Sequence, residues 1–382
     1  MPSRALIHVI MLGMACTGWT RPAESQQPID QERINLQLQS GLVTNSGSQS
    51  QPIYAELIEH RGASWIRLVF DEITLSGSRS RGNASYLKLT SLADGAVQYL
   101  DTISLRQWGY TSAYFNGDAV LLEIWASPGT GSNEVRISNA IAGPPASRNV
   151  DGLGFTGLCN EVDDRALSSD PRVARTLPSL CTAFIIDDCE HCFLTSGECN
   201  QIGNPSTSVV QFNLPLSNGT CQTNGIRHPS PDHQYAVDPD SHQSTGFHGA
   251  GNTWGYFGVF PNSNTGLMPH EAQGQWFVVD PTTDTNTNAE LAGYGKVFAP
   301  VSCEWDRVQK SGSGPVTSLT GTTLEYRIDA TSGDSGAPIF AEGTDKVLAI
   351  QNYFACSQSP ASSNAGTWIG HPDLLDAIAN PA

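Results

Sequence analysis

The alternation of apolar and polar residues predicts short β-strands along most of the chain. Residues 53–141 hold five segments that alternate with a period of two, separated by turn-rich breaks: SWIRLVFDEITLSG, SYLKLTSL, AVQYLDTISL, DAVLLEIWA and NEVRISNAI. This period is typical of strands with one face on a core and the other in solvent. We therefore predict a small antiparallel β-sandwich over residues 53–142.

Shorter apolar strands recur in the second part of the chain, from residue 181 onward. They are CTAFIID, CFLTSG, SVVQFNLPL, WGYFGVF, QWFVVD and VLAIQNYF. Only residues 371–380, HPDLLDAIAN, have helical spacing. The fold class predicted for the whole chain is therefore all-β, with a pair of barrels closed by a C-terminal helix.

Three segments differ in composition from the predicted strands. Residues 1–25 combine a basic start, a short apolar core and small residues before Gln26, which predicts a signal peptide and a secreted or periplasmic protein. Residues 26–52 are rich in Gln and Ser and predict a flexible leader. Residues 143–152, GPPASRNVDG, predict a linker before a second domain over 153–382.

Charge and cysteine content exclude several function classes. The net charge of −17 repels phosphate backbones, so we predict no nucleic-acid partner, and no stretch is apolar enough to span a membrane. Eight cysteines lie beyond the predicted signal peptide, and an even number in an exported chain predicts disulfides. Cys189 and Cys192 form a C-x-x-C without a second pair at zinc-site spacing, so we predict no metal and no cofactor.

The strongest chemical signal is Gly333-Asp334-Ser335-Gly336. Acyl transfer needs an exposed nucleophile beside backbone N–H groups that face the developing oxyanion. Glycines on both sides of the serine permit a tight turn and a close approach of a substrate backbone. An ordinary β-turn is the alternative, but apolar strands continue the chain after this motif.

Residues from about 159 to 382 resemble the trypsin/chymotrypsin-like serine proteases, and especially exported bacterial members with an N-terminal β-domain. The resemblance covers roughly 60% of the chain and rests on CTAFIID…CFLTSGEC, GNTWGYFGVF, GDSGAP and VLAIQNYFAC, in the family's order. It implies two perpendicular β-barrels with the site between them. It also implies a disulfide between Cys181 and Cys199 beside that site.

The resemblance assigns roles to four residues of the serine motif region. Ser335 would be the nucleophile, and the N–H groups of Gly333 and Ser335 would form the oxyanion hole. Asp334 corresponds to the residue that pairs with a newly cut N-terminus in many members, although no Arg-Ile-Val-Gly-Gly activation sequence is present. Asp329 would be the acid at the base of the specificity pocket or, alternatively, a solvated carboxylate at a strand end.

The chain departs from the family at both other triad positions. Glu198 stands where the family has its histidine, and Thr253 where it has its aspartate; Asp238 or Asp240 would be the acid in another register. A glutamate has a pKa near 4.3 and cannot bridge a serine to a buried acid as imidazole does. The two replacements are compatible with each other but not with ordinary triad chemistry.

Three functions follow as alternatives, and the first is our working hypothesis. The chain is a catalytically impaired protease homologue that binds a protein or peptide ligand, or an active serine endopeptidase with a substitute base. The third alternative is a carbohydrate- or surface-binding protein that acts through aromatic side chains of the sandwich, for which we favour a core position only for Trp125. The candidate bases are His191, His228, His233, His242, His248 and His270, and the candidate aromatic residues are Tyr99, Trp108, Tyr110, Tyr114 and Trp125.

Overall fold

The structure is a computed structural model that describes residues 28–145, 156–201, 205–218, 225–298 and 300–382. The predicted signal peptide and most of the predicted linker lie outside these residues. Strands dominate the described chain, which contains three short α-helices. None of the described helices is long and apolar enough to cross a membrane.

The N-terminal part is a sandwich of two antiparallel sheets. The first sheet has the order β1-β10-β4-β8, with β2 and β5 also on β10, and the second has the order β3-β9-β6-β7. Its elements are β1 (Glu32–Gln39), β2 (Val43–Thr44), β3 (Gln51–Glu59), β4 (Trp65–Val69), β5 (Glu72–Thr74), β6 (Tyr86–Ser91), β7 (Val97–Leu100), α1 (Thr102–Gln107), β8 (Phe115–Asn116), β9 (Ala119–Ala126) and β10 (Ser132–Ala142).

Strand β1 differs from the flexible leader that we predicted for residues 26–52. It pairs antiparallel with β10, and Ile34, Leu36 and Leu38 pack against the sandwich core. These three residues alternate with polar ones, which places them on one face of the strand. The Gln- and Ser-rich composition concealed this period of two, and the leader prediction is corrected for this stretch.

The C-terminal part contains the predicted pair of trypsin-like β-barrels. Strands β22-β21-β25-β26-β27-β23 form a closed barrel because β23 pairs back to β22, and β17-β16-β13-β14-β15-β19-β18 form a half-barrel. The elements are β11 (Thr156–Gly157), β12 (Ala166–Leu167), β13 (Val173–Leu177), β14 (Cys181–Ile185), β15 (Phe193–Thr195), β16 (Val209–Gln211), β17 (Gln234–Ala236), β18 (Gln243–Ser244), β19 (Gly255–Phe257), α2 (Pro269–Gln273), β20 (Val278–Val279), β21 (Asn288–Gly293), β22 (Lys310–Thr320), β23 (Thr323–Tyr326), β24 (Ala330–Thr331), β25 (Pro338–Ala341), β26 (Lys346–Tyr353), β27 (Asn364–Trp368) and α3 (Pro372–Ala379).

Helix α3 closes the chain and packs on the barrels through one face. Its buried residues, Leu374 and Ala377, are three positions apart and join the core cluster that also holds Leu194 and Tyr256 of the half-barrel. Residues at this spacing lie on the same side of a helix. The predicted fold class, all-β with a C-terminal helix, is confirmed.

Two disulfides are described with both partners. They join Cys159 to Cys356 and Cys181 to Cys199, the second being the pair that the family resemblance implied. Cys189 and Cys192 carry free thiols, so the prediction of a fully bonded set is wrong for this C-x-x-C. Cys192 is buried in the half-barrel core, and this burial raises the pKa of its thiol to about 12, whereas Cys189 is exposed.

The sandwich and the half-barrel share one hydrophobic core. Leu177, Leu180 and Val209 of the half-barrel belong to the same buried cluster as Trp65 and the other core residues of the sandwich. A backbone hydrogen bond of 2.7 Å from Ile29 to the Pro178 carbonyl also joins the two parts. They are therefore in direct contact, on either side of the segment that we predicted to be a linker.

Arg67 is a buried cation at this joint. Its guanidinium donates hydrogen bonds to the Thr207 carbonyl of the C-terminal part (2.7 Å) and to the Ser112 carbonyl (2.9 Å) and Thr111 Oγ1 (2.6 Å) of the sandwich. It also lies over the Tyr114 ring, 4.6 Å from the ring centroid. One side chain thus connects both parts.

We expect Arg67→Met to lower the free energy of unfolding by about 2–4 kcal/mol, because it removes several buried hydrogen bonds at once. Urea denaturation followed by tryptophan fluorescence measures this loss. Arg61→Met is the matched control, since the Arg61 side chain is 89% exposed and its surface pair with Glu59 contributes little. Equal losses in the two variants would contradict the role given to Arg67.

Candidate active site

The serine motif forms a tight turn between β24 and β25. Gly333 and Gly336 have φ values of +110° and +85°, a region that favours glycine. A Cβ atom at Gly336 would overlap the carbonyl oxygen of Thr182, and one at Gly333 would overlap the guanidinium of Arg307. Both glycines are therefore required by backbone conformation and by close packing.

Thr182 of the half-barrel holds this turn from two sides. Its backbone N–H donates to the Ser335 carbonyl (2.9 Å), and its hydroxyl donates to the Gly333 carbonyl (2.8 Å). The turn belongs to the closed barrel, so these bonds place Ser335 where the two barrels meet. Sequence reasoning did not identify this role of Thr182, because both contacts join segments that are far apart along the chain.

Glu198 lies against Ser335. It is in the short turn that follows β15, and only 4% of the residue is exposed. Burial raises the pKa of its carboxyl group to about 6, although hydrogen bonds from the Ser196 and Ser335 hydroxyls favour the ionised form. The structure thus brings together the predicted nucleophile and the residue that we predicted at the histidine position, and it adds Ser196, which sequence reasoning missed.

Thr253 is buried just before β19, and its side chain forms hydrogen bonds within its own loop. The hydroxyl donates to the Gly249 carbonyl (2.9 Å) and accepts a hydrogen bond from the His248 N–H (3.0 Å). Within the described residues, no hydrogen bond links Thr253 to Glu198. The hydroxyl of Thr253, which we predicted at the position of the triad acid, is therefore already satisfied within its own loop.

The other acid and base candidates do not reach the serine either. Asp238 caps a short turn by accepting from the Asp240 N–H (3.0 Å), and Asp240 is exposed. Across the described part of the chain, the side chains of the six loop histidines form no hydrogen bond with Ser335 or Glu198. Among these candidates, the Glu198 carboxylate is the group that accepts a hydrogen bond from the Ser335 hydroxyl.

Asp329 is buried behind the serine turn, with 2% of the residue exposed. Its carboxylate accepts hydrogen bonds from the backbone N–H groups of Cys159 (2.7 Å) and Asp164 (3.2 Å). Burial outweighs these bonds and raises the pKa of Asp329 to about 6. The alternative of a solvated carboxylate is thereby overturned, and its place at the base of a specificity pocket stays a prediction.

Asp334 forms a buried ion pair with a side chain of the same chain. Its carboxylate contacts Arg165 and also accepts hydrogen bonds from the backbone N–H groups of Gly295 and Thr331, both at 2.8 Å. Arg165 was missed by sequence reasoning, and its signal was a single arginine directly after two acids in a polar stretch.

The aromatic residues of the sandwich divide between core and surface. Trp108 and Tyr114 are buried, whereas Tyr110 and Tyr99 are exposed. Trp125, for which we favoured a core position, lies half-buried on the outer face of the second sheet, because it follows the inward-facing Ile124 in β9. There its ring stacks on Tyr86 at a centroid distance of 6.2 Å.

No protein-family model matches the chain, and neither does any curated protein sequence. Among solved structures, the chain is similar to a thermostable serine protease, AL20, from an extremophilic microorganism (14% identity, 55% of this chain and 96% of that chain, TM-score 0.41). It is also similar to a Glu endopeptidase (16% identity, 58% and 98%, TM-score 0.43) and to an inactivated protease paralogue of the scabies mite (15% identity, 57% and 99%, TM-score 0.40).

Proposed function

We propose that this chain is a secreted trypsin-like serine protease homologue that lacks ordinary triad catalysis and binds a protein or peptide ligand near Ser335. The observation that carries the proposal is the environment of Glu198. Its carboxylate contacts the Ser335 and Ser196 hydroxyls, and Thr253 supplies no acid behind it. In this proposal the Gly333 and Ser335 N–H groups keep the oxyanion-hole role that the resemblance implies.

The chemical reason lies in what stabilises the protonated base. In a Ser-His-Asp triad the aspartate orients the imidazole and stabilises the imidazolium, and loss of that acid alone costs about 10⁴-fold in turnover. In this chain the Ser196 hydroxyl donates to Glu198 and therefore favours its ionised form. Proton transfer from Ser335 to Glu198 gains no comparable support.

We expect the wild-type protein to cleave a broad peptide library no faster than Ser335→Ala. The library includes Lys and Arg sites because of Asp329. Intact mass after incubation with a serine-directed phosphonate measures the reactivity of Ser335 separately. Robust wild-type cleavage that is lost in Ser335→Ala would contradict the proposal.

A second candidate, slow hydrolysis by a Ser335–Glu198 dyad, is favoured by one observation. A general base must lie within hydrogen-bond reach of the proton that it removes and titrate near the working pH. The Glu198 carboxylate accepts a hydrogen bond from the Ser335 hydroxyl, and its pKa of about 6 is close to that of an imidazole. This candidate keeps the endopeptidase alternative with Glu198 itself as the substitute base.

The dyad predicts a specific pH dependence for the phosphonate reaction of Ser335. Glu198 removes the serine proton only when ionised, so the rate should rise about tenfold from pH 5 to pH 7, with a midpoint near the pKa of about 6. The rate is measured by mass spectrometry at short times. Glu198→Gln should react slowly without this midpoint, and an unchanged profile in that variant would exclude Glu198 as the base.

The sandwich supports the glycan-binding alternative through its outer sheet face. Tyr86, Trp125 and the 43% exposed Tyr99 lie there beside Lys88, which pairs with Glu123 at 2.9 Å. Aromatic faces with neighbouring polar groups bind sugars. Pull-down of the full chain on polysaccharide resins, compared with Trp125→Ala, tests this alternative; equal or absent retention of both proteins would count against it.

A further inference from the structure

We infer that the joint between the sandwich and the half-barrel is a pH-sensitive contact, which is closed while the His228 imidazole is neutral and opens when this imidazole takes up a proton. His228 precedes β17 in the C-terminal part, and only 1% of the residue is exposed. Its ring nevertheless packs on side chains of the sandwich. The inference concerns how the two parts are held together and does not depend on whether the Ser335 site hydrolyses or only binds.

Two aromatic rings of the sandwich contact the His228 ring. The imidazole stacks on Tyr114 with ring centroids 4.8 Å apart and an interplanar angle of 24°, and it meets the Trp65 ring edge to face at 5.4 Å. Tyr114 and Trp65 both belong to the core cluster that the sandwich shares with the half-barrel. Burial of a neutral ring in such an aromatic contact is favourable. His228 is therefore part of the packing that joins the two parts.

The backbone of His228 is also bound to the sandwich. Its N–H donates to Asn116 Oδ1 and its carbonyl accepts a hydrogen bond from Asn116 Nδ2, both at 2.8 Å. Asn116 lies in β8 of the sandwich. Because this pair of bonds fixes the position of the residue, a charged imidazole reaches water only when the contact with the sandwich is broken.

The neighbours of His228 Nδ1 require this atom to be a hydrogen-bond acceptor. Arg175 Nη2, which can only donate, lies 3.5 Å from Nδ1, and Gln211 Nε2 lies at 3.2 Å. The orientation of the Gln211 amide is set by its oxygen, which accepts a hydrogen bond from Arg175 Nη2 at 2.7 Å. The neutral ring therefore carries its proton on Nε2, and a second proton on Nδ1 would face two donors.

The charges close to the ring are positive. Burial and then the charges of Arg175 and Arg67 hold the pKa of His228 well below its ordinary value. Burial lowers the pKa of Arg175 to about 9, so this guanidinium is charged throughout the acid range. The Tyr114 ring could stabilise an imidazolium by a cation–π contact, but Arg67 already lies over it, 4.6 Å from the centroid. Arg227, the preceding residue, adds a further cation.

Acidic side chains around the joint bind other groups. Across the described residues, neither a hydrogen bond nor an ion pair joins a carboxylate to the His228 ring. Asp94 accepts a hydrogen bond from Asn116 Nδ2 at 2.8 Å, and Asp306 favours the ionised form of Arg175. A protonated His228 would thus be a buried cation beside other cations and without an acid partner, which is strongly unfavourable.

The sign of the pH effect follows from the lowered pKa. In an opened joint His228 titrates near its ordinary pKa of about 6.5, so the closed joint is fully stable above that pH and loses stability as the pH falls. The pKa values of His242 and His270 are also lowered by burial, so both act in the same direction. Glu198 and Asp329 oppose this trend below about pH 6, because burial raises their pKa values to about 6. A local measurement with His228 variants therefore separates these contributions.

The test is hydrogen exchange of the full chain between pH 6.5 and pH 5. Peptide 111–117 reports on the joint, because the Tyr114 N–H donates to Gln234 Oε1 across it at 3.0 Å, and peptide 346–353 covers β26 of the closed barrel. After correction for intrinsic rates, we expect protection to fall at least about tenfold in peptide 111–117 and less than about threefold in peptide 346–353. Constant protection in the first peptide, or an equal loss in both, would overturn the inference.

His228→Phe keeps an aromatic ring between Tyr114 and Trp65 but cannot take up a proton. Protection in peptide 111–117 should then change less than about threefold over the same pH range, although it is lower at every pH because Gln211 loses its acceptor. A purely structural role of His228 would lower protection and leave the pH dependence as in wild type, and this result would also overturn the inference. If His228→Phe does not fold, His228→Gln, which keeps an acceptor, decides the question by the same criterion.

His233→Gln is the matched control. His233 lies in the same segment of the chain, but its ring contacts the Asn213 side chain at the surface, 3.3 Å away. This variant should keep the wild-type pH dependence of peptide 111–117. Loss of that dependence in His233→Gln would show that His228 alone does not control the joint, and would overturn the inference.

Discussion

Glu198→His combined with Thr253→Asp is expected to raise peptide cleavage about 10²–10³-fold above wild type. Loss of a triad base costs about 10⁶-fold in turnover, so a gain of this size would recover only part of the lost activity. The serine turn needs no change, because Thr182 and Arg165 hold it independently of either position.

The two changes should act together. A histidine at Glu198 would meet the Ser335 hydroxyl from the position that the carboxylate has now. An aspartate at Thr253 would restore a negative charge in a loop whose His248 N–H already donates to this position. Glu198→His alone should recover at least tenfold less, because the imidazolium would lack an acid partner.

The measurement is a set of progress curves on the same peptide library with matched protein concentrations. Adding Ser335→Ala to the double change must remove the gain, because a contaminating protease would not respond to it. Recovery by Glu198→His alone at the level of the double change would show that Thr253 is not at the acid position. No gain while Ser335 still reacts with the phosphonate would contradict the assignment of both positions.

Removal of the Cys159–Cys356 disulfide, by Cys159→Ala with Cys356→Ala, is expected to lower the free energy of unfolding by about 4–5 kcal/mol. The two cysteines are 197 residues apart, and a cross-link over a long loop removes the most entropy from the unfolded chain. This decrease in the free energy of unfolding would be large for the removal of a single covalent bond. Denaturant unfolding with and without a reducing agent measures it.

Cys189→Ala is the control for this pair, because Cys189 is an exposed free thiol and its loss should change stability by less than about 0.5 kcal/mol. Wild type under reducing conditions should lose at least as much stability as the double variant, because the Cys181–Cys199 disulfide is reduced as well. A loss below about 1 kcal/mol in the double variant would show that strand pairing alone fixes the segment around Cys159.

The repeating features of the fold could be predicted from the sequence. The period of two in DAVLLEIWA marks β9, with Leu122 and Ile124 buried, and the spacing of HPDLLDAIAN marks α3, with Leu374 and Ala377 buried. Apolar periodicity suffices in both cases because each element buries one face against a core. The contact of Glu198 with Ser335 followed from the resemblance and not from periodicity, since a contact across 137 positions leaves no local pattern.

The features that could not be predicted depend on contacts with segments that are distant in the sequence. Strand β1 forms because its backbone pairs with β10, although the composition of this segment is that of a flexible leader. Trp125 lies on the outer face because it follows the inward-facing Ile124 in β9, and its stacking partner there, Tyr86, belongs to the neighbouring strand β6. Arg165 is a lone basic residue whose meaning arises only when folding places Asp334 beside it.

The shared core of sandwich and half-barrel sets an order of events during synthesis. The sandwich leaves the ribosome first, but Leu177, Leu180 and Val209, which complete its core, are made later. Until they emerge, the nascent sandwich exposes an apolar face around Trp65 that a chaperone or a second nascent chain can cover. The half-barrel therefore supplies the last residues of the sandwich core. A nascent chain that stops before residue 177 would leave the apolar face around Trp65 exposed to other hydrophobic surfaces.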